Sequence, residues 1–358
     1  MFTYLLRRIL SSIPVLFGIL AVTFILARLI PGDPCRAMLG EKATQTVCDT
    51  FIHQHGLDKP ILVQFGIYIG EIARGDFGVS LRLGIPVTEL LLERLPTTLE
   101  LSFAAMGFSI LVGIPLGIIS AVRQNSLVDI GTMLVANIGI SMPVFWLGLM
   151  LEYVFALLLK GTPFQLPPSG RLSAGLSPVP FYVVWGWQVT SKGLIGILDF
   201  VSRLNLLNAI LTGRPDIFWD ALKHLILPAV TVGTIPLALI ARMTRASMLD
   251  VLGTEYMRTA RAKGLTRYMQ VMKHGLRNAL LPLVTIIGLS LGTFLGGAVL
   301  TETIFGLSGL GRILYDSITA RDYIVVQSFT VVIAVFFVVL NLIVDILYTY
   351  LDPRVRLE

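Results

Sequence analysis

"EYMRTARAKGLTRYMQVMKHGLRNALLP", residues 255–282, carries six basic side chains, Arg258, Arg261, Lys263, Arg267, Lys273 and Arg277, against one acid, Glu255. Long apolar runs flank it on both sides. Lys and Arg collect on the cytoplasmic flanks of membrane spans, so a cationic, helix-forming stretch between two greasy ones reads as a cytoplasmic loop of a membrane protein. The whole chain has that character. Of its 358 residues 55% are hydrophobic and 14% charged, with mean hydropathy +0.81, whereas a soluble domain carries about 25% charge. The net charge of +6 sits beside apolar runs, which implies a lipid bilayer as partner and no nucleic acid.

A membrane-crossing helix needs roughly 20 apolar residues. Six stretches qualify: Ile9–Ile30, Leu99–Val122, Ile130–Leu159, Leu225–Ala241, Ala279–Leu300 and Ile324–Tyr350. The fourth is short and holds Pro228 and Pro236, which leaves its ends open. The first follows Arg7 and Arg8 and resembles a signal peptide, but its apolar core is long and "RLIPGDP" offers no small-residue cleavage site, so a retained anchor is expected. Between Arg242 and Arg277 there are eight basic residues and two acids, Asp250 and Glu255, while residues 31–98 carry eight acids and six bases. The charge rule then predicts an all-α, polytopic bundle of six transmembrane helices with both termini cytoplasmic. Residues 1–98 hold the first transmembrane helix plus an outer loop region. Residues 99–358 form a core of five transmembrane helices, with an outer insertion at 160–224 and a cytoplasmic loop at 242–278. Gly193–Leu211 mixes apolar residues with Asp199, Arg203, Asn205 and Asn208, which suits an interfacial or packed amphipathic helix better than a seventh crossing.

Met257, Ala260 and Gly264 are spaced three and four apart and share one helix face. A smooth strip rimmed by Arg258, Arg261 and Lys263 would suit a helix seated in a partner's groove, and a headgroup-binding basic loop is the alternative. Gly264 can end that helix, and the following residues can start a second one leading into the membrane. Candidate pathway residues are those whose polarity is costly in lipid: Asn137, Ser141, Ser290, Thr293, Asn341 and Asp345. Asp345 could instead pair with Arg242 or Arg245. Glu302 lies where the fifth helix leaves the membrane outside and is a candidate for an outer gate. Cys35 and Cys48 fall in the first outer loop, where a disulfide and two unrelated thiols are both open. No G-x-x-x-x-G-K-[ST] phosphate loop, no His/Cys metal cluster and no nucleophile motif occurs in the sequence. No catalytic residue and no cofactor in this chain are expected.

"RTARAKGL" followed by "HGLRNALLP" closely resembles the cytoplasmic loop of ATP-binding-cassette import permeases of the peptide and nickel group. The general importer loop reads E-A-A-x-x-x-G; here Arg258, Thr259 and Ala260 take the first three positions and Gly264 the glycine. The resemblance runs almost the full length, through "YLLRRILSSIPVLFGILAVTFILARLIPGDP", "GDFGVS", "RLPTTLELS", "ISMPVFWLGLM" and "LTETIFGLSGLGRILYDSITARDYIVVQ", and is weakest across 160–224. It implies the transmembrane domain of a type I importer in a bacterial inner membrane, moving di- or oligopeptides, with glutathione or nickel chelates as alternative cargo. It also implies that Met257 to Gly264 couple to two cytoplasmic ATPase subunits, which would hold the ATP and Mg. A second homologous permease subunit and an extracytoplasmic binding protein complete the expected assembly. A self-sufficient secondary transporter is the rival class; inverted repeats and charge pairs near the midplane would mark it.

Overall fold

The computed structural model describes residues 2–29, 43–54, 56, 58–80 and 82–351. The described residues are mainly helical, and the one β pairing among them is an isolated bridge between Val79 and Pro86. The first helix, α1, runs Phe2–Leu29. The next helices among the described residues are α2 (Gln45–Gln54) and α3 (Ile61–Ala73). Rings of Phe17 and Phe24 meet Phe65 at 5.5 and 5.0 Å and hold α3 against α1.

The core is a pair of long helices, α4 (Val87–Val122) and, further along the chain, Pro215–Leu252. Both exceed the expected spans. At 1.5 Å per residue, 36 residues make a rod of about 54 Å against a hydrocarbon core of about 30 Å. The extra turns of α4 stay helical because they pack: Val87, Leu90, Leu91 and Leu95 are buried with Leu310, Val325 and Phe329. Hydropathy marks where lipid ends, and tertiary burial carries the helix past that point.

The expected third span, Ile130–Leu159, is not one helix. It divides into α5 (Leu127–Ser141) and α6 (Val144–Glu152), the latter continued by a π-helical turn over Tyr153–Leu158, and the two halves meet at 102°. Pro143 is the cause. It supplies no N–H to the preceding turn and pushes Met142 into an extended conformation with φ −108° and ψ 137°.

The outer insertion contains α7 (Phe181–Val184), α8 (Lys192–Ser202) and α9 (Asn205–Thr212). The expected amphipathic helix over 193–211 is therefore two short helices bent by 96°. Asn205, Asn208 and Ala209 are buried, which makes this a packed element. Gly213 in the left-handed region closes α9, and Pro215 occupies the first turn of α10 (Pro215–Leu252).

Beyond α10 come α11 (Glu255–Ala262), a π-helical turn (Met269–Gly275) and α12 (Leu276–Gly297). The chain then forms α13 (Val299–Ile304), α14 (Leu310–Thr319) and α15 (Tyr323–Leu351). Among the described residues, five helical segments are long and apolar enough to cross a membrane, and two bent pairs, α5–α6 and α8–α9, are long and apolar enough if each is counted as one broken span. Helices α4 and α10 pack along their length, α5 lies against both, and α12 bridges α10 to α15. The seam is close because the residues are small: a Cβ on Gly117 would meet the Ala241 carbonyl at 2.6 Å, and Ser109 Oγ donates to the Gly233 carbonyl at 2.7 Å.

Candidate coupling site and pathway residues

Helix α11 begins after Thr254 and ends at Lys263. Gly264 follows with φ +74°, a left-handed conformation that suits glycine, and its N–H donates to the Arg261 carbonyl at 2.9 Å. The chain then reverses and climbs through the π-helical turn into α12. Tyr256 fastens the two arms: Asn278 Nδ2 donates to its hydroxyl at 2.8 Å, and that hydroxyl donates to the His274 carbonyl at 3.3 Å. The hairpin is thus joined directly to a membrane-crossing helix.

The smooth strip faces the other way from expectation. Met257 is 0% exposed and Ala260 8%, so both are buried against the chain itself and offer nothing to a partner's groove. The physical reason is that an amphipathic helix lying on a bundle must bury its apolar stripe there. What points outward is Arg258, Thr259, Ala262 and Lys263, together with Gly264 at the turn. Arg258 pairs with Glu255 at 2.8 Å, an open surface contact worth little energetically. Arg261 curls back to donate from Nη2 to the Leu252 carbonyl at 2.9 Å.

The same end of the bundle holds two ion pairs. Arg245 on α10 grips Asp129 on α5 with two bonds, Nε to Oδ1 at 2.9 Å and Nη2 to Oδ2 at 2.8 Å. Ser120 Oγ also donates to Asp129 Oδ1, and the Asn125 N–H reaches Oδ2 at 2.9 Å. This carboxylate therefore ties α4, the intervening turn, α5 and α10 together. Asp345 pairs with Arg8 of α1 at 2.7 Å, and not with Arg242 or Arg245. Arg245 is engaged elsewhere, and α1 packs along α15 and brings Arg8 to Asp345.

Among the described residues the opposite end holds three buried carboxylates, Glu302, Glu100 and Asp322, the last accepting from Ser80 Oγ at 2.6 Å. Glu302 is 0% exposed and is not a gate lining. Its Oε1 accepts from Thr98 Oγ1 at 2.6 Å and its Oε2 from the Arg312 N–H at 2.9 Å, while Thr98 accepts from the Leu310 N–H at 2.8 Å. Glu302 thereby satisfies the open N-terminus of α14, a position that favours a carboxylate. Burial nonetheless pushes its carboxyl above the ordinary range. Glu100 on α4 receives Arg171 Nη2 at 2.8 Å and the Leu206 N–H at 2.7 Å, which docks the insertion onto the core. Asp220 adds a second clamp, accepting from Ser173 Oγ at 2.6 Å.

The other pathway candidates do not converge on one cavity in this chain. Ser141 Oγ donates to the Asn137 carbonyl, Thr293 to the Ser290 carbonyl and Asn341 to the Phe337 carbonyl, each within its own helix. Ser290 is buried, Asn137, Asn341 and Asp345 are half-buried, and Ser141 and Thr293 are exposed on the surface of the single chain. Cys48 is buried, and Cys35 lies outside the described residues. Sequence reading missed Asp129, Glu100 and Arg171. The available signal for Asp129 and Glu100 was a lone acid next to or inside an apolar run, which requires a partner.

Comparison with known proteins is consistent along the whole length. A family model described as "Binding-protein-dependent transport system inner membrane component" matches residues 113–357, and the corresponding N-terminal model matches 1–102. The dipeptide transport system permease of Alkalihalophilus pseudofirmus is 43% identical over 99% of this chain and 100% of its own length. The di/tripeptide transport system permease of Pseudomonas aeruginosa is 43% identical over 99% of each chain. The oligopeptide transport system permease of Bacillus subtilis is 40% identical over 99% of this chain and 100% of its own.

Proposed function

Because the chain belongs to the inner membrane components of binding-protein-dependent transport systems, we propose that it is the permease subunit of an ATP-driven importer of di- or oligopeptides. The chain is a multi-pass membrane transport subunit. In this reading the basic hairpin lies in the cytoplasm, and the outward face of α11, from Arg258 to Gly264, is what two ATPase subunits grip. Those subunits hold ATP and Mg, for which this sequence has no phosphate loop.

The single observation that carries the reading is the mounting of α11. Its apolar side is fixed to the chain, its charged side is open, and Tyr256 couples it to α12. A loop that only bound headgroups would have no need of that rigid attachment. A push on α11 is passed to the spans and shifts the bundle between inward- and outward-facing states.

A second permease subunit is also part of the proposal. Ser141 and Thr293 face outward from this chain, where lipid would be an unfavourable neighbour and a facing subunit would complete the path. An extracytoplasmic binding protein would deliver peptide to the opposite end. Two ion pairs, Arg8–Asp345 and Arg245–Asp129, lie within about two turns of helix ends, and a third, Arg171–Glu100, ties the outer insertion to α4; a secondary transporter needs such pairs at the midplane.

The test is reconstitution in vesicles of the chain with its neighbouring ATPase and permease subunits, followed by uptake of radiolabelled dialanine. Uptake should require ATP and every subunit. Uptake by this chain alone, without ATP, would overturn the proposal.

A further inference from the structure

Beneath the hairpin lies a cleft of about 570 Å³, bounded by the last turns of α4 and α10, the end of α11 and the π-helical turn. Its polar wall is Gln124, Arg261, Arg267 and Gln270, its apolar wall includes Val122 and Leu252, and no acidic residue lines it. The two guanidinium groups are aimed by the backbone. Arg261 donates from Nη2 to the Leu252 carbonyl at 2.9 Å, and Arg267 from Nη2 to the Val122 carbonyl at 3.1 Å. Those carbonyls belong to the C-terminal ends of the two longest helices, where the last carbonyls lack intrahelical donors and the helix dipole attracts cations.

The backbone bonds orient both arginines without neutralising them. Among the described residues, neither has a carboxylate within ion-pair distance, whereas Arg258 has Glu255, Arg245 has Asp129 and Arg8 has Asp345. Each guanidinium carries five N–H donors and matches a phosphate in a forked geometry. Val122 ends the second apolar run, so the α4 side of the cleft stands near the depth of the lipid headgroups.

We propose that this cleft binds the phosphate of an anionic phospholipid, with Arg261 and Arg267 as its ligands and an acyl chain leaving along the apolar wall. The bound lipid links the ends of α4 and α10 to the hairpin. The site uses Arg261, turned back to the Leu252 carbonyl, and not the outward residues Arg258, Thr259, Ala262 and Lys263 of α11, and it does not depend on the identity of the cargo.

Native mass spectrometry of the full chain in detergent, offered equal amounts of phosphatidylglycerol and phosphatidylcholine, provides the test. The wild-type chain should retain phosphatidylglycerol in preference, on the order of tenfold. Arg261→Gln combined with Arg267→Gln should abolish that preference, Arg261→Lys with Arg267→Lys should keep part of it, and Arg258→Gln should leave it intact. The wild-type selectivity is readable whether or not the double variant folds. Equal retention of both lipids by the wild type would overturn the proposal, as would an undiminished preference in a folded double Gln variant. Displacement of all bound lipid by millimolar inorganic phosphate would make this a free-anion site and overturn the lipid assignment. Loss of ATPase co-purification in the double Gln variant, with lipid retention unchanged, would assign the cleft to a protein partner instead.

Discussion

The insertion end of this bundle and the α11 hairpin treat charge in opposite ways, while the helices behind the hairpin bury a partnered carboxylate of their own, Asp129. At the insertion end, Glu302 and Glu100 are buried, and each carboxylate accepts from at least two donors on separate elements. At the hairpin end, α11 displays Arg258 and Lys263 to the surroundings, with one loose pair to Glu255. Buried and fully partnered carboxylates fix a geometry, because removing one partner strands the other in a medium that cannot solvate it. Exposed cations fix nothing locally and are available to another molecule. The contrast separates a locked frame from a presented handle.

Arg245→Ala should disturb the molecule most. It leaves Asp129 without its bidentate partner at the junction of α4, α5 and α10, at a cost of about 3 kcal/mol. The melting temperature in detergent should drop by several degrees, with much of it recovered in the Asp129→Ala, Arg245→Ala double variant. Additive losses in that cycle would mean the pair is not a unit.

Glu302→Ala comes next, at about 2 kcal/mol, since Thr98 and the α14 N–H groups lose their acceptor. Burial holds the Glu302 carboxyl above its usual range, so the fold binds that proton more tightly than the unfolded chain does. Its stabilising contribution is complete at low pH and fades as pH climbs through the raised value. Glu302→Gln should flatten that part of the thermal stability against pH curve, and an unchanged slope would mean another group titrates.

Gly264→Pro should move the melting temperature little, because the strain is confined to an exposed turn. Proline cannot adopt φ +74° and removes the N–H that Arg261 accepts. ATP hydrolysis by the assembled importer should persist while dialanine uptake falls to background. Normal uptake would end the hinge role. Arg258→Glu with Lys263→Glu should be the mildest for the fold, under about 0.5 kcal/mol. Co-purification of ATPase subunits should fall sharply, and unchanged recovery would show that the open face is not the handle.

The membrane class, the helical fold and the hairpin were legible in the sequence because each rests on a local signal. Apolar runs mark spans, clustered Arg and Lys mark a loop, and Gly264 marks a turn. Three other features required the third dimension. Helix α4 outruns its hydropathy because Leu90 and Leu95 find Phe329, more than 200 residues away. The strip of Met257 and Ala260 has the right period but the wrong partner, since periodicity identifies a face and not what covers it. Asp345 and Arg245 are both charged at one end of the bundle, yet each has a different mate, which spacing along the chain cannot reveal. The break at Met142 was readable in principle from Pro143, but prolines also occur inside α4, α10 and α12, where the helix simply continues.

The seam between α4 and α10 has a mechanical corollary. Backbones that touch at Gly117 and Gly233 leave no room for one rod to slide past the other. The pair must therefore tilt together, as a stiff beam about 57 Å long. A small displacement applied at its hairpin end would be felt at the far end as a swing of the clamped insertion.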